Sequence, residues 1–323
     1  MKVALIIGSQ GQDGTYLSSL LLTKGYIVHG VTRTPKPTLE QKNLYINKIN
    51  ILDVNDLENL IIKIKPCEIY YLATTHEHSL NRKNYDEVMN VNVTGVINTL
   101  EIIKNNKFKT RFFYASSSNI FSGSSETPQT ENTKFNPKTL YGIAKNTAMQ
   151  FIDIYRETYK VFACYGILYN HESPLRNKMF VTMKIVDAVV NIKLGYQKKL
   201  KLKNIYSLRD WGSAEDYVEA MWLMLQEPNP DNYIIGTGKT SSVKDVLDYA
   251  FGYFGFNWKE YVEIEEDNKI KPAIILVADN RKIKQNLGWS YTQNIKDIIL
   301  HMIKVDLERK QTGLSKSILR VAK

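Results

Sequence analysis

The stretch "KVALIIGSQGQDGTYLSSLLLT", residues 2–23, decides the fold. Its opening run "KVALII" (2–7) is apolar without alternation, as a strand covered on both faces of a parallel sheet requires. Gly8, Gly11 and Gly14 follow at G-x-x-G-x-x-G spacing, and an amphipathic stretch runs from Thr15 to Thr23. Such a turn needs residues without side chains so that the backbone can approach a pyrophosphate, whose charge the N-terminus of the next helix favours. A glycine pattern gains its meaning from its place, here after a first strand and ahead of further strand–helix units.

Those units continue down the chain. "YIVHGV" (26–31), "NKINIL" (47–52), "CEIYYLA" (67–73), "TRFFYAS" (110–116) and "VFACYGI" (161–167) read as strands. "DLENLIIKI", a long stretch ending near Asn106, and Leu140 to Thr158 read as helices. Alternation of this kind predicts an α/β fold, a doubly wound parallel sheet with right-handed crossovers. After Ile167 the rhythm changes to mixed polar and apolar segments. The expected organisation is a dinucleotide-binding Rossmann domain over 1–168, to which parts of 204–236 return, and a smaller C-terminal α/β lobe over 169–323. The lobe would close over the carboxyl ends of the strands, where open α/β sheets bind ligands.

Composition narrows the partners. Of 323 residues, 43% are apolar and 24% charged, as in an ordinary soluble protein, and the apolar run at the start is too short for a signal peptide or a membrane span. A cytoplasmic protein with no membrane partner is expected. The formal charge of +10 is spread along the chain instead of gathered in a stripe with interleaved aromatics, which argues against nucleic acid and suits a small phosphate-bearing substrate. Cys67 and Cys164 read as buried reduced thiols. No metal-ligand spacing appears: "HEH" (76–78) offers two imidazoles without further partners.

At the end of the second strand, Gly30, Val31, Thr32 and Arg33 include no carboxylate to bind the ribose of NAD. Arg33 suits a 2′-phosphate instead, so NADP is favoured over NAD. Asp53 fits either the adenine or the cap of a helix beginning near Asn55. Tyr141 and Lys145, four residues apart on a predicted helix, share one face. A phenol titrates near pH 10, and a neighbouring ammonium stabilises its phenolate. The pair can then take a proton from a sugar hydroxyl while the carbon beneath gives hydride to a nicotinamide. Ser117, at the end of the preceding strand, would hydrogen-bond the substrate oxygen.

"GSQGQDGTYL", "GYIVHGV", "YGIAK", "IYRETYKVFACYGILYNHESPLR", "FVTMKI", "RDWGSAEDYVEAMWLMLQ" and "LGW" together span nearly the whole chain. On these stretches the chain resembles the extended short-chain dehydrogenases/reductases, and among them the GDP-mannose 4,6-dehydratase family. The resemblance implies a bound nicotinamide nucleotide, a GDP-linked sugar substrate and a homo-oligomer, dimer or tetramer. It implies Ser117, Tyr141 and Lys145 as the redox triad, with Gln12 and Asp13 beside the glycines at the cofactor. It also implies that Asn170, Arg176 and Lys184 contact the nucleotide and that Arg209 holds its phosphates.

The departures bear on the reaction. The family has threonine, serine, glutamate, leucine, tyrosine and glycine where this chain has Ser117, Ser118, Asn119, Ile120, Phe121 and Ser122. That glutamate removes the C5 proton once C4 is a ketone, and an amide near neutral pH cannot. The loop after the second strand is the shorter "RTPKPT", and an R-P-A-E-V run near the C-terminus reads Lys271-Pro-Ala-Ile-Ile275. From residue 119 the expected reaction is interconversion of hydroxyl and ketone at C4 of a GDP-linked hexose or heptose, of dehydrogenase/reductase or epimerase type and without dehydration, with Asn119 at the substrate. The alternative is a true 4,6-dehydratase whose base comes from elsewhere, for instance Glu77 or a histidine. A cofactor-sensing protein without catalysis is a third class, against which the intact Tyr141 and Lys145 argue.

Overall fold

The computed structural model describes residues 1–37, 40–75, 82–265 and 275–313. In its first half, β1 (Val3–Ile7), α1 (Gln12–Thr23), β2 (Ile27–Thr32), β3 (Leu44–Lys48), α2 (Val54–Ile64), β4 (Glu68–Tyr71), α3 (Arg82–Met89), α4 (Gly95–Asn105), β5 (Arg111–Ser117), α5 (Leu140–Tyr159) and β6 (Ala163–Leu168) alternate. The second half holds β7 (Asn170–Glu172), α6 (Val181–Lys193), β8 (Leu200–Leu202), β9 (Leu208–Ser213), α7 (Ala214–Met224), β10 (Tyr233–Ile235), β11 (Thr240–Ser242), α8 (Val243–Gly252), β12 (Val262–Ile264), α9 (Arg281–Leu287) and α10 (Ile295–Thr312).

Seven strands form one sheet in the order β10-β6-β5-β4-β1-β2-β3, every neighbouring pair parallel. The order reverses between β1 and β4, which opens a crevice at the carboxyl ends of these strands. β1 shows why its sequence is apolar throughout. Leu5 and Ile7 join the core under α2, α4 and α5, while Ala4 and Ile6 join the core under α1 and α7. A third core, built by α6, α8 and α10 around Trp211, belongs to the C-terminal elements. Two small sheets, β11-β9-β7 and β12-β8, complete that side, and β10 returns to the large sheet.

Two elements differ from expectation. β3 lies at Leu44–Lys48, three residues ahead of the predicted 47–52, because it pairs with β2 from Val28 opposite Leu44. Ile49 and Ile51, which suggested a strand, instead pack beneath the sheet core from the turn before α2. The predicted long helix ending near Asn106 is broken by a π-helical segment, Asn90–Thr94. The wider turn leaves backbone carbonyls for other donors. The Tyr71 hydroxyl donates to the carbonyl of Val91 at 2.6 Å and the Tyr114 hydroxyl to that of Asn92 at 3.1 Å.

Candidate active site

The turn after β1 is shaped by what its glycines leave open. Gly8 has φ +92°, and a Cβ there would lie 2.7 Å from the backbone nitrogen of Ala73. A Cβ on Gly14 would lie 2.4 Å from the Gly8 carbonyl oxygen. Gly11 caps α1 and offers no side chain to its first N–H groups, so these donors are left for an anion. The cradle fits the pyrophosphate of a nicotinamide dinucleotide.

Asp13 and Gln12 turn from this cradle toward β7. The Asp13 carboxylate accepts from His171 Nε2, 3.0 Å from each oxygen, while His171 Nδ1 stands 2.8 Å from the Tyr169 carbonyl oxygen. Both partners only accept, so both ring nitrogens carry protons and His171 is an imidazolium. Gln12 donates to the His171 carbonyl at 3.1 Å and accepts from the Ser173 hydroxyl at 2.9 Å. Burial opposes the charge on Asp13, yet the neighbouring imidazolium holds its carboxyl down at about 2. Burial likewise opposes the charge on His171, and Asp13 reverses this and raises its pKa. Sequence reasoning had not singled out His171; its signal was the aspartate itself, an acid at a phosphate-binding helix start that requires a countercharge.

The sign of the stability linkage follows. Asp13 stabilises the fold above its unfolded value of 3.8 and loses that contribution as the pH falls through about 2. His171 contributes fully below its unfolded value of 6.5 and less as the pH rises through its raised pKa. His171→Gln, which leaves Asp13 buried without its charge partner, should cost ~3–5 kcal/mol. Urea unfolding should show the full deficit at about pH 5 and a smaller one at about pH 9.

α5 carries the redox pair. Thr139 caps it by accepting from the Gly142 N–H at 3.0 Å, which places Tyr141 in the first turn. Tyr141 is 5% and Lys145 2% exposed. The Lys145 ammonium lies 5.6 Å from the Tyr141 ring centre and donates to the Ala115 carbonyl at 2.8 Å. Burial draws Lys145 down to about 7, against the attraction of Asp13. Burial pushes the Tyr141 phenol up to about 12, against hydrogen bonds with Thr74 and Ser117. Ser117 ends β5, and its Oγ accepts from the Asn119 N–H at 3.3 Å and from Asn119 Nδ2 at 3.2 Å. The structure therefore brings Ser117, Asn119 and Tyr141 into one bonded group with Lys145 beside it. Thr74 joins that group; the sequence drew attention to its neighbours at 76–78 and not to Thr74 itself.

The remaining predicted residues are placed as follows. Arg33 is 70% exposed at its side chain and pairs with Glu87 of α3 at 3.4 Å. Asp53 caps α2, accepting from the Asp56 N–H at 3.1 Å, as the second of its two readings required. Arg176 pairs with Glu172 at 3.1 Å, lies 3.5 Å over the Phe180 ring, and contributes to the field at both Asp13 and Tyr141. Asn170 opens β7 opposite Trp211. Lys184 donates to the Lys201 carbonyl at 2.8 Å. Arg209 is largely buried and donates to the Leu208 carbonyl at 2.7 Å. His76, Glu77, His78 and the run 271–274 lie outside the described residues. Among the described residues no three His, Cys, Asp or Glu side chains cluster as a metal site would need. No helix among them is long and apolar enough to cross a membrane.

The profile of the family described as "GDP-mannose 4,6 dehydratase" matches residues 5–302. A relative from Arabidopsis thaliana, "GDP-mannose 4,6 dehydratase 2", is 40% identical over 327 residues, covering 95% of this chain and 87% of its own. The chain belongs to the GDP-mannose 4,6-dehydratase family. It is thereby an enzyme of the extended short-chain dehydrogenase/reductase class, in a family of nucleotide-sugar enzymes. Solved structures share the fold at lower identity. The dTDP-glucose 4,6-dehydratase of Bacillus anthracis in complex with NAD aligns with a TM-score of 0.84 at 18% identity, covering 96% of this chain and 98% of that one. RMD from Pseudomonas aeruginosa, complexed with NADPH, aligns at 0.81 and 17% identity, covering 96% of this family member and 100% of that chain.

Proposed function

We propose that this family member oxidises C4 of a GDP-linked hexose or heptose and then expels water, the 4,6-dehydration for which its relatives are named. The observation that supports the first step is the grouping of Ser117, Tyr141 and Lys145 at the carboxyl edge of β5, beside the glycine turn. When bound, NADP or NAD supplies the acceptor for the C4 hydride and, in a dehydration, returns that hydride at C6. Tyr141 takes the proton from the C4 hydroxyl, Lys145 stabilises the phenolate, and Ser117 holds the substrate oxygen. The lobe residues Asn170, Arg176, Lys184 and Arg209 would hold the nucleotide. Arg33 and the absence of a carboxylate from 30–33 favour NADP over NAD. We further propose a cytoplasmic homo-oligomer, a dimer or a tetramer.

The comparisons favour dehydration over the dehydration-free reaction expected from residue 119. One observation supports the latter as a second reading: Asn119 stands beside Ser117 with an amide, which cannot abstract the C5 proton. Under the first reading that proton leaves through another residue, with Glu77 or a histidine as candidates. Incubating the protein with GDP-mannose or a GDP-heptose and each cofactor, and weighing the products, separates the two. Loss of water supports dehydration. Loss of two hydrogens, with one reduced cofactor per product, supports the second reading, and Asn119→Glu should then gain a trace of water loss. A new isomer of unchanged mass supports the epimerase form of the second reading, and no reaction with any of these pairs contradicts both.

A further inference from the structure

We infer that Gln10 is a positioning residue for the choice of cofactor. Its side chain pins the segment after β2, and through that hold Arg33 discriminates NADP from NAD. This role rests on the cofactor reading above and extends it to a residue that carries no charge of its own.

The pinned segment has little to offer a partner except at one point. Over Pro35-Lys36-Pro37 the only backbone N–H is that of Lys36, because proline has none. Gln10 takes it. Its Oε1 accepts from that N–H at 2.8 Å, and its Nε2 donates to the carbonyl of the same residue at 2.9 Å. An N–H only donates and a carbonyl only accepts, so the Gln10 amide fits one way round. The two prolines restrict φ on either side, and Pro37 disfavours helical backbone at Lys36, so few conformations remain for the segment once Lys36 is held.

A second tie lies at the near end. The N–H groups of Gly8 and Ser9 donate to the Val31 carbonyl at 3.0 and 3.3 Å. The glycine turn thus grips the chain at Val31 and again at Lys36, and residues 32–35 form a hoop between the two grips. Arg33 stands in that hoop just past β2, where dinucleotide-binding folds read the 2′ position of the adenosine ribose. Residues 30–37 hold two cations, Arg33 and Lys36, and no carboxylate. Glu87 lies 3.4 Å from the Arg33 guanidinium with both side chains exposed, and such a pair holds a guanidinium weakly. The hoop therefore fixes the backbone of Arg33 while its guanidinium can still turn to a 2′-phosphate. Holding that backbone beforehand adds affinity by removing part of the ordering cost of binding. NADP gains from this, whereas NAD has no 2′-phosphate for Arg33 to meet.

Gln10→Met, close in length but unable to form either bond, tests this in two measurements. In the cofactor-free protein the Lys36 amide should exchange with deuterated solvent faster than in the wild type, because the acceptor Gln10 supplied is gone. In equilibrium titrations NADP should bind about tenfold more weakly and NAD less than about twofold, which narrows the difference between them. Arg33→Ala should produce a similar loss, and the double variant no more than either alone, since Gln10 acts through Arg33. Lys36 exchange at the wild-type rate, equal weakening of both cofactors, or additive losses in the double variant would overturn the role of Gln10. A preference for NADP that Arg33→Ala abolishes and Gln10→Met leaves intact would overturn that role alone. Failure of the cofactor reading looks different: the wild-type protein then shows no preference for NADP, Arg33→Ala leaves both affinities unchanged, and the role of Gln10 falls with it.

Discussion

Tyr141→Phe should lower turnover by ~10²- to 10⁴-fold, about 3–5 kcal/mol of transition-state stabilisation, and leave cofactor affinity nearly unchanged. The substitution deletes one oxygen from a ring that is otherwise buried in the first turn of α5. Packing is therefore conserved while the proposed proton acceptor for the C4 hydroxyl is lost. Thr74 and Ser117 lose a shared partner, but the Thr74 bond to Asn92 remains. Steady-state assays beside a cofactor titration separate the two effects. Turnover equal to that of the wild type would remove Tyr141 from the chemistry.

Lys145→Met should weaken catalysis by a comparable factor and also loosen cofactor binding, while leaving the fold as stable as before or more so. Lys145 is 2% exposed, and burial holds its pKa near about 7 instead of the usual 10.5. Its charge thus opposes folding, and an apolar side chain of similar volume removes that penalty. Activity should fall because, in the proposed complex, the ammonium stabilises the Tyr141 phenolate and reaches the nicotinamide ribose. Melting curves and turnover should move in different directions. A variant both less stable and equally active would mean that Lys145 is a structural cation only.

Much of this was legible in the sequence where local rules coincide with the final fold. "KVALII" is apolar throughout because its side chains enter cores on both faces of the sheet, and the strand–glycine–helix order marks the cradle. Tyr141 and Lys145 could be paired because helical spacing alone puts them on one face. β3 was misplaced because Ile49 and Ile51 are buried by tertiary packing from a turn, which a one-dimensional pattern cannot distinguish from a strand. The π-helical segment was invisible because its cause lies on neighbouring strands, in the hydroxyls of Tyr71 and Tyr114. Thr74 and His171 were missed for the same reason: each matters through a partner far away in sequence, Asn92 and Tyr141 for one, Asp13 for the other. Residue 119 was noticed for what it lacks, whereas its bonds to Ser117 show what an amide supplies there.

The proposed reaction is hydride transfer from C4 of a GDP-linked sugar at the Ser117–Tyr141–Lys145 group. Its most direct measurement uses GDP-mannose and a GDP-heptose carrying deuterium at C4 and follows where the label goes by mass and NMR. Deuterium should leave C4, appearing at C6 if water is lost, or in the reduced nicotinamide or at an inverted C4 if it is not, and Tyr141→Phe should slow these fates alike. Deuterium that stays at C4 with its configuration unchanged, in a product formed by the wild-type protein, would contradict it.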